Sequence, residues 1–169
     1  MNSPIEGAQW LSSSVGQHTK DLIATFYELA DSREPDAGTR MATEIFTKDA
    51  IWITANGTFK GFSEISKSRD NAWSVVKSRK HHILRVFLGN DERSELSILG
   101  TGEIEFKNGE KISSPFACYI KLDSLHSTAD ARISFMQVIA APAKQYGSVC
   151  SGDLVTQDAE RRFSFRLDV

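Results

Sequence analysis

Apolar residues recur at helical spacing in the first third of the chain. Between residues 18 and 31 they fall three or four positions apart, as Leu22, Phe26, Leu29 and Ala30, which is the stripe of an amphipathic helix. Proline disfavours helix in the residue before it, so this helix is predicted to end before Pro35. A second, short helix is predicted from an N-cap at Asp36 to Phe46, and a third from Ser63 to about Lys80.

The remainder of the chain contains runs of β-prone residues with apolar–polar alternation, which is typical of strands. Residues 49–60 predict a hairpin that turns at Asn56-Gly57, and Asn108-Gly109 predicts a second hairpin turn. The strands are predicted over residues 81–88, 96–107, 112–122 and 132–140. Helices grouped before consecutive antiparallel strands indicate the α+β class rather than a βαβ fold.

The length of 169 residues suits one domain. We assign residues 1–16 to a leader that drapes on the domain, residues 17–142 to the domain itself, and residues 143–169 to a C-terminal extension. Apolar and polar residues alternate near the end of the extension, at Phe163, Phe165, Leu167 and Val169. This alternation predicts an added edge strand or a strand that pairs with a partner subunit; the alternative is a frayed tail.

Charge and composition exclude several classes of protein. A net charge of −2 and a pI of about 6.1 do not favour nucleic-acid binding. No stretch approaches the roughly 20 apolar residues of a membrane helix, and the start of the chain lacks a signal peptide, so a cytoplasmic protein is expected. The two cysteines and four histidines have no metal-ligand spacing. No phosphate-binding loop is present, so neither a metal nor another cofactor is expected.

Four segments together carry a resemblance to a known family. They span residues 26–33 (FYELADSR), 46–52 (FTKDAIW), 61–65 (GFSEI) and 136–142 (MQVIAAP). In their order and spacing they resemble the nuclear-transport-factor-2-like superfamily, and within it the SnoaL-like enzymes. The resemblance implies a cone-shaped, curved antiparallel sheet that encloses three N-terminal helices, a cystatin-like α+β barrel. It also implies a homodimer that forms through the outer face of the sheet.

A closer local resemblance is to the scytalone dehydratases, fungal members of this superfamily. Residues 27–32 look like their first helix, and residues 79–83 look like the junction that carries a catalytic histidine. The match puts His82 at that position, or His81 with a slip of one residue, and it puts Arg33 and Glu34 where the dehydratases have a tyrosine and an aspartate. The chain departs from the pattern on strand 96–107, where no second histidine is present and Gly100 and Gly102 stand instead.

The adjacent histidines are the leading candidates for acid–base chemistry. In an extended segment they point to opposite faces, so one should face the pocket. His82 is predicted to share a face with Leu84, Val86 and Leu88, and His81 with Ile83, Arg85 and Phe87. An imidazole can act as a general acid or base. His82 ranks first because of the local resemblance, and the alternative for either is a helix-capping or hydrogen-bonded core residue.

Glu34 and Arg69 are the other predicted catalytic residues. Glu34 follows the first helix at the expected mouth of the pocket, where a carboxylate could pass protons. It ranks ahead of Asp31, whose ordinary role would be to bond the local backbone. Arg69 falls on the stripe of the third helix and should meet a carboxylate or a substrate oxyanion. The alternative for Arg69 is a structural ion pair with Asp31, Glu34 or Glu44.

A further set of aromatic and polar side chains could bind a substrate. The tryptophans and Tyr27 could equally be core residues. Tyr119 and Gln137 could donate hydrogen bonds to a carbonyl, depending on the strand register. The complete predicted set is Tyr27, Arg33, Trp52, Trp73, His81, Tyr119 and Gln137.

The resemblance implies a small-molecule enzyme of secondary metabolite biosynthesis. We expect a cofactor-independent isomerase, cyclase or lyase (dehydratase) that acts by acid–base catalysis on a hydrophobic polycyclic compound of polyketide or terpenoid type. The alternative is a non-catalytic ligand-binding or dimerisation module of the same fold. The residues Ala140-Ala141 favour this alternative, because many SnoaL-like enzymes have an acidic residue at the end of the last strand.

Overall fold

The computed structural model describes residues 3–89, 94–123 and 131–140, which form a few helices and a seven-stranded sheet. The predicted C-terminal strand of residues 163–169 lies outside these ranges. The helices are α1 (Gln17–Asp31), α2 (Ala37–Arg40) and α3 (Gly61–Ser66), and a π-helical turn (Met41–Ile45) continues α2. The strands are β1 (Gln9–Trp10), β2 (Phe46–Thr54), β3 (Gly57–Lys60), β4 (Val76–Leu88), β5 (Glu95–Phe106), β6 (Lys111–Leu122) and β7 (Ile133–Ala140).

The sheet is curved and open, and its order is β1-β4-β5-β6-β7-β2-β3. The long strands β4 to β7 run antiparallel, as predicted. Both Asn-Gly turns are confirmed, at the β2–β3 and β5–β6 hairpins. The sheet is nevertheless mixed, because β2 pairs with β7 in parallel and β1 pairs with β4 in parallel. The α+β class is confirmed, with the helices against one face of the sheet.

The third helix is much shorter than predicted. It ends at Ser66, successive turns follow, and β4 begins at Val76. Serine, aspartate and asparagine side chains compete for the backbone groups that a helix needs, and this segment contains several of them. The prediction of a helix to Lys80 is therefore wrong. As a result His81 and His82 lie inside a strand and not at a helix-to-strand junction.

A β-bulge in β4 decides which histidine faces inward. The pairing of β4 with β5 shifts between Ile83 and Arg85. Ile83 and Val86 are both buried although an odd number of positions separates them, because a bulge moves the following residues to the other face. His81 shares the inner face with Ile83, and after the bulge with Val86. The prediction that His82 shares a face with Val86 is wrong for this reason.

The core lies between α1 and the inner face of the sheet. Helix α1 buries one side, which includes Ile23, Phe26 and Tyr27. Strands β5 to β7 contribute buried residues such as Ile98, Ile120 and Met136. No helix among the described residues is long and apolar enough to cross a bilayer.

The described part of the predicted leader, residues 3–16, includes a segment that runs along the edge of the sheet beside β4. The Ile83 N–H donates to the carbonyl of Pro4 at 2.9 Å, and the Leu11 N–H donates to the carbonyl of Val86 at 3.0 Å. Between these bonds β1 pairs with β4 at Arg85 and Val86. The leader therefore brings Ser3 and Pro4 close to the inner histidine.

We predict that Gly38→Ala destabilises the fold. A Cβ at Gly38 would lie 2.2 Å from the carbonyl oxygen of Ser66, so α2 and α3 would have to separate. Overpacking of this kind typically costs about 1–3 kcal/mol in the free energy of unfolding. Chemical denaturation measures it, and Gly16→Ala is the control because a Cβ at Gly16 has no atom within 4 Å. Equal stability of the two variants would contradict this packing.

Candidate functional site

A cavity of about 1150 Å³ opens where the end of α1 meets the first half of β4 and its neighbouring strands. Most of its lining residues are polar or charged, with charges of both signs, although apolar atoms make up the larger part of the wall surface. The residues that line it are Ser3, Pro4, Glu28, Asp31, Ser32, Arg33, Glu34, Ser78, Arg79, Lys80, His81, Glu103, Ile104, Glu105, Lys111, Ile112 and Ser113.

Asp31 and His81 form a hydrogen-bonded pair in the wall of this cavity. Nδ1 of His81 lies 2.7 Å from Oδ1 of Asp31, and the backbone N–H of His81 donates to Oδ2 at 2.7 Å. The two side chains are only 15% and 20% exposed. Two contacts from one histidine fix both the position and the ring orientation, so Nε2 is left as the nitrogen available for proton transfer.

Arg79 completes the surroundings of Asp31. Its Nε lies 3.3 Å from Oδ1 of Asp31, and its terminal NH₂ group donates to the carbonyl of Ala30. Burial lowers the pKa of Arg79, and the Asp31 carboxylate opposes that shift. An ionised carboxylate can accept several hydrogen bonds at once, so Asp31 is held by donors from two positions on β4.

Trp73 and three arginines clamp the end of α1 against β4. The indole Nε1 of Trp73 donates to the carbonyl of Ser32 at 2.9 Å. The guanidinium carbons of Arg33, Arg79 and Arg69 lie 4.8, 5.0 and 5.8 Å from the tryptophan ring centroid, within the range of cation–π attraction. Arg69 also donates to the carbonyl of Ala30 at 2.6 Å. Burial, together with the charge of Arg79, lowers the pKa of Arg69 to about 10.

Aromatic rings form the inner support of His81. The ring centroids of Tyr27 and Phe116 lie 5.2 and 5.6 Å from that of the imidazole. The Tyr27 hydroxyl is buried beside the Cys118 thiol, yet no described residue gives it a hydrogen bond of normal geometry. Burial raises the pKa of Tyr27 well above its usual value and raises the pKa of Cys118 to about 12.

These two raised pKa values predict a loss of stability at alkaline pH. A group whose pKa is higher in the folded state stabilises the fold below its unfolded pKa, and this contribution is lost as the pH rises through the folded pKa. For Cys118 the window runs from about 9 to about 12, so the free energy of unfolding should fall as the pH rises above about 9. Denaturation at several pH values measures the slope, which should be shallower in Cys118→Ala and in Tyr27→Phe. An unchanged slope in both variants would contradict the assignment.

Three of the predicted site residues, His81, Arg33 and Glu34, line the cavity. His82 points away from it: its side chain is 38% exposed, and its Nε2 lies 3.8 Å from Oε1 of Glu103. Arg69 does not line the cavity; it contacts the Trp73 ring and the Ala30 carbonyl at the end of α1. It does not pair with Glu44, which Arg40 engages at 2.8 Å.

The remaining predicted residues lie in three other places. Tyr27 and Trp73 support Asp31 and His81 from behind. Trp52 is buried in an aromatic cluster with Phe26, Phe46 and Phe59. Tyr119 and Gln137 are cross-strand partners on the outer face of the sheet, on the opposite side from Cys118 and the core.

Two polar residues of this site are underrated by the sequence analysis, which ranks Asp31 behind Glu34 and gives Arg79 no role of its own. Asp31 lies four positions after Tyr27, so it continues the buried face of α1 into the cavity. Arg79 and His81 are two positions apart, which puts them on the same face of a strand. Both spacings can be read from the sequence. The strand spacing of Arg79 and His81 is missed because a helix is predicted up to Lys80. Among the described residues no group of three or more His, Cys, Asp or Glu side chains could hold a metal ion.

No known protein family matches the chain by its sequence profile, and no curated protein matches it in sequence. Solved structures do match. A hexachlorocyclohexane dehydrochlorinase, LinA type 2, superposes with a TM-score of 0.59 at 16% identity over 73% of this chain and 82% of that one.

Two further structures give the same picture. An NTF2-like protein of unknown function from Burkholderia pseudomallei has a TM-score of 0.59 at 13% identity, over 77% of this chain and 95% of its own. TerC, co-crystallised with polyporic acid, has a TM-score of 0.58 at 13% identity, over 80% of this chain and 100% of its own. Similarity at this level of identity concerns the fold, and it confirms the predicted curved sheet around N-terminal helices. The chain has the nuclear-transport-factor-2-like fold.

Proposed function

We propose that the protein is a cofactor-independent acid–base enzyme in which His81, oriented by Asp31, transfers a proton on a ring-containing small molecule. The observation that carries the proposal is the short contact between His81 Nδ1 and Asp31 in the wall of a large cavity. A base oriented by a carboxylate is a recurring catalytic arrangement. The role that the local resemblance gives to His82 therefore passes to His81, because only the latter lines the cavity.

The reaction follows from the free nitrogen of the pair. The Nδ1–H group of His81 donates a hydrogen bond to Asp31. The unprotonated Nε2 can then accept a proton from a carbon of the substrate. The electrons of the C–H bond form an enolate, or they form a C=C bond while a hydroxide or halide leaves with its own bonding pair. The proton on Nε2 then goes to the leaving group in a lyase, or to another atom of the substrate in an isomerase or cyclase. Asp31 stabilises the intermediate imidazolium.

The cavity wall suits a ring compound that carries oxygen atoms, because charged and polar groups stand among its apolar surface. Only Pro4, Ile104 and Ile112 among the lining residues are apolar. Arg33, Lys80 and Lys111 lie on the wall together with glutamates, so polar groups on the ring would find partners. Ring compounds also occur with two proteins of similar fold, hexachlorocyclohexane with one and polyporic acid with the other. An oxygenated polyketide or terpenoid is the substrate class that we propose.

Deuterium exchange tests this function even though the substrate itself is not identified. A panel of oxygenated ring compounds with an acidic C–H, together with hexachlorocyclohexane and polyporic acid, is incubated with the protein in D₂O. We expect incorporation of deuterium, or turnover, for at least one member. The proposal would be contradicted by compounds that bind, as seen in the tryptophan fluorescence, and neither exchange nor react.

A ligand-binding module is the second candidate. The observation in its favour is that Arg33, Arg69 and Arg79 all donate to backbone carbonyls, which leaves less of their hydrogen-bonding capacity for a developing oxyanion. Binding without exchange in the panel above would favour this candidate. Deuterium exchange that is lost in a His81 variant would exclude a purely ligand-binding role.

We also propose that the protein is a homodimer that pairs through the outer face of the sheet. Leu99, Ala117 and Ile139 are register partners on three adjacent strands, and Leu99 and Ile139 are 42% and 63% exposed. Exposed apolar patches of this kind often mark interaction sites. Light scattering should give the mass of a dimer for the wild type and of a monomer for Ile139→Glu. A monomeric wild type would contradict the proposal.

A further inference from the structure

Gly102 lies directly opposite His81 in the pairing of β4 with β5. A Cβ at this glycine would lie 3.8 Å from Cδ2 and 3.9 Å from Nε2 of His81. Apart from its two chain neighbours, no other described residue has an atom within 4 Å of that position. The edge of the imidazole that carries Nε2 therefore borders the space that a side chain at position 102 would occupy.

The neighbouring glycine of the same strand has a different role. A Cβ at Gly100 would lie 2.5 Å from Cζ of Phe116 and 2.7 Å from the carbonyl oxygen of His82. Gly100 is thus required for packing, since any side chain would collide with the ring and the backbone. Gly102 has only ordinary van der Waals distances around it, so the fold does not explain why this position lacks a side chain.

We propose that Gly102 is a specificity-determining residue, because its missing side chain leaves the space at His81 Nε2 where the reacting carbon of the substrate binds. The inference rests on the proposed acid–base function of His81. A hydrogen-bearing carbon must approach a general base to within hydrogen-bond reach. A methyl group at position 102 would occupy part of this approach, and a larger side chain would close it.

Chemical modification tests the space without a substrate. Diethyl pyrocarbonate acylates an unprotonated imidazole nitrogen, and in His81 that nitrogen is Nε2 because Nδ1 contacts Asp31. We expect His81 to be modified severalfold more slowly in Gly102→Ala than in the wild type, and more slowly still in Gly102→Val. The exposed His82 should react equally in all three proteins, and fragment-ion mass spectrometry separates the two histidines. Equal modification of His81 in all three would overturn the proposal.

Kinetics test the effect on specificity once a substrate is found. One methylene in a pocket changes kcat/KM by about 10- to 200-fold, and Gly102→Ala should lower it within that range, with the larger loss for the bulkier of two substrates. Thermal unfolding should show that Gly102→Ala folds as the wild type does, whereas Gly100→Ala is destabilised. If His81→Gln abolishes turnover and Gly102→Ala keeps the wild-type preference, only the present inference fails. If His81→Gln retains turnover, the proposed function fails.

Discussion

Replacing His81 by glutamine should lower kcat by about 10²- to 10⁴-fold, the range by which general acid–base catalysis accelerates a reaction. Glutamine is close to histidine in size, so its side chain can still pack against the rings of Tyr27 and Phe116. Its amide can still donate a hydrogen bond to Asp31. It has no nitrogen that accepts a proton at neutral pH. KM should change little, because the loss concerns an interaction made in the transition state.

His82→Gln is the matched control for this experiment. It alters the adjacent residue of the same strand by the same substitution, at a side chain that faces outward. We expect activity close to that of the wild type. Asp31→Asn should reduce kcat nearly as much as His81→Gln, because asparagine can present a donor to Nδ1 and so favour the wrong tautomer. A loss of activity that is equal in the two histidine variants would contradict the assignment of the base.

Asp31→Ala should be among the most destabilising substitutions in the chain. It leaves the side chain of Arg79, which is 15% exposed, without its carboxylate, and it leaves the backbone N–H of His81 without an acceptor. Removing one partner of a buried ion pair costs about 3–5 kcal/mol. Chemical denaturation followed by circular dichroism measures the change in the free energy of unfolding.

Glu44→Ala provides the control for that prediction. Glu44 also pairs with an arginine, Arg40, at 2.8 Å, but the side chains of this pair are 43% and 46% exposed. Solvent screening makes such surface pairs weak, so the variant should unfold almost as the wild type does. If Asp31→Ala were no less stable than Glu44→Ala, the contacts of Asp31 with Arg79 and His81 would not hold α1 against β4.

Much of the fold follows from local patterns that tertiary contacts do not alter. The stripe of α1, the proline after it and the two Asn-Gly turns each act over a few residues, and each appears where the sequence predicts it. The parallel pairing of β2 with β7 is different, because it joins segments far apart in the chain. Nothing in the periodicity of either strand specifies that partner.

The site is harder to predict because it depends on two local irregularities. The apolar residues between Ile65 and Val76 are compatible with a helical stripe, yet the polar residues among them form turns, so Arg69 and Trp73 belong to a loop that clamps α1. The bulge after Ile83 then reverses the alternation of β4. Period-two counting back from Val86 selects His82, while the real strand turns His81 inward.

The tautomer of His81, measured from nitrogen-15 chemical shifts of the imidazole at mildly alkaline pH, tests the role of this residue most directly. We predict that the neutral ring carries its proton on Nδ1, donated to Asp31, and that Nε2 is unprotonated and open to the cavity. In Asp31→Asn the proton should move to Nε2. A wild-type ring protonated on Nε2, or the same tautomer in both proteins, would contradict the claim that Asp31 prepares His81 as the base.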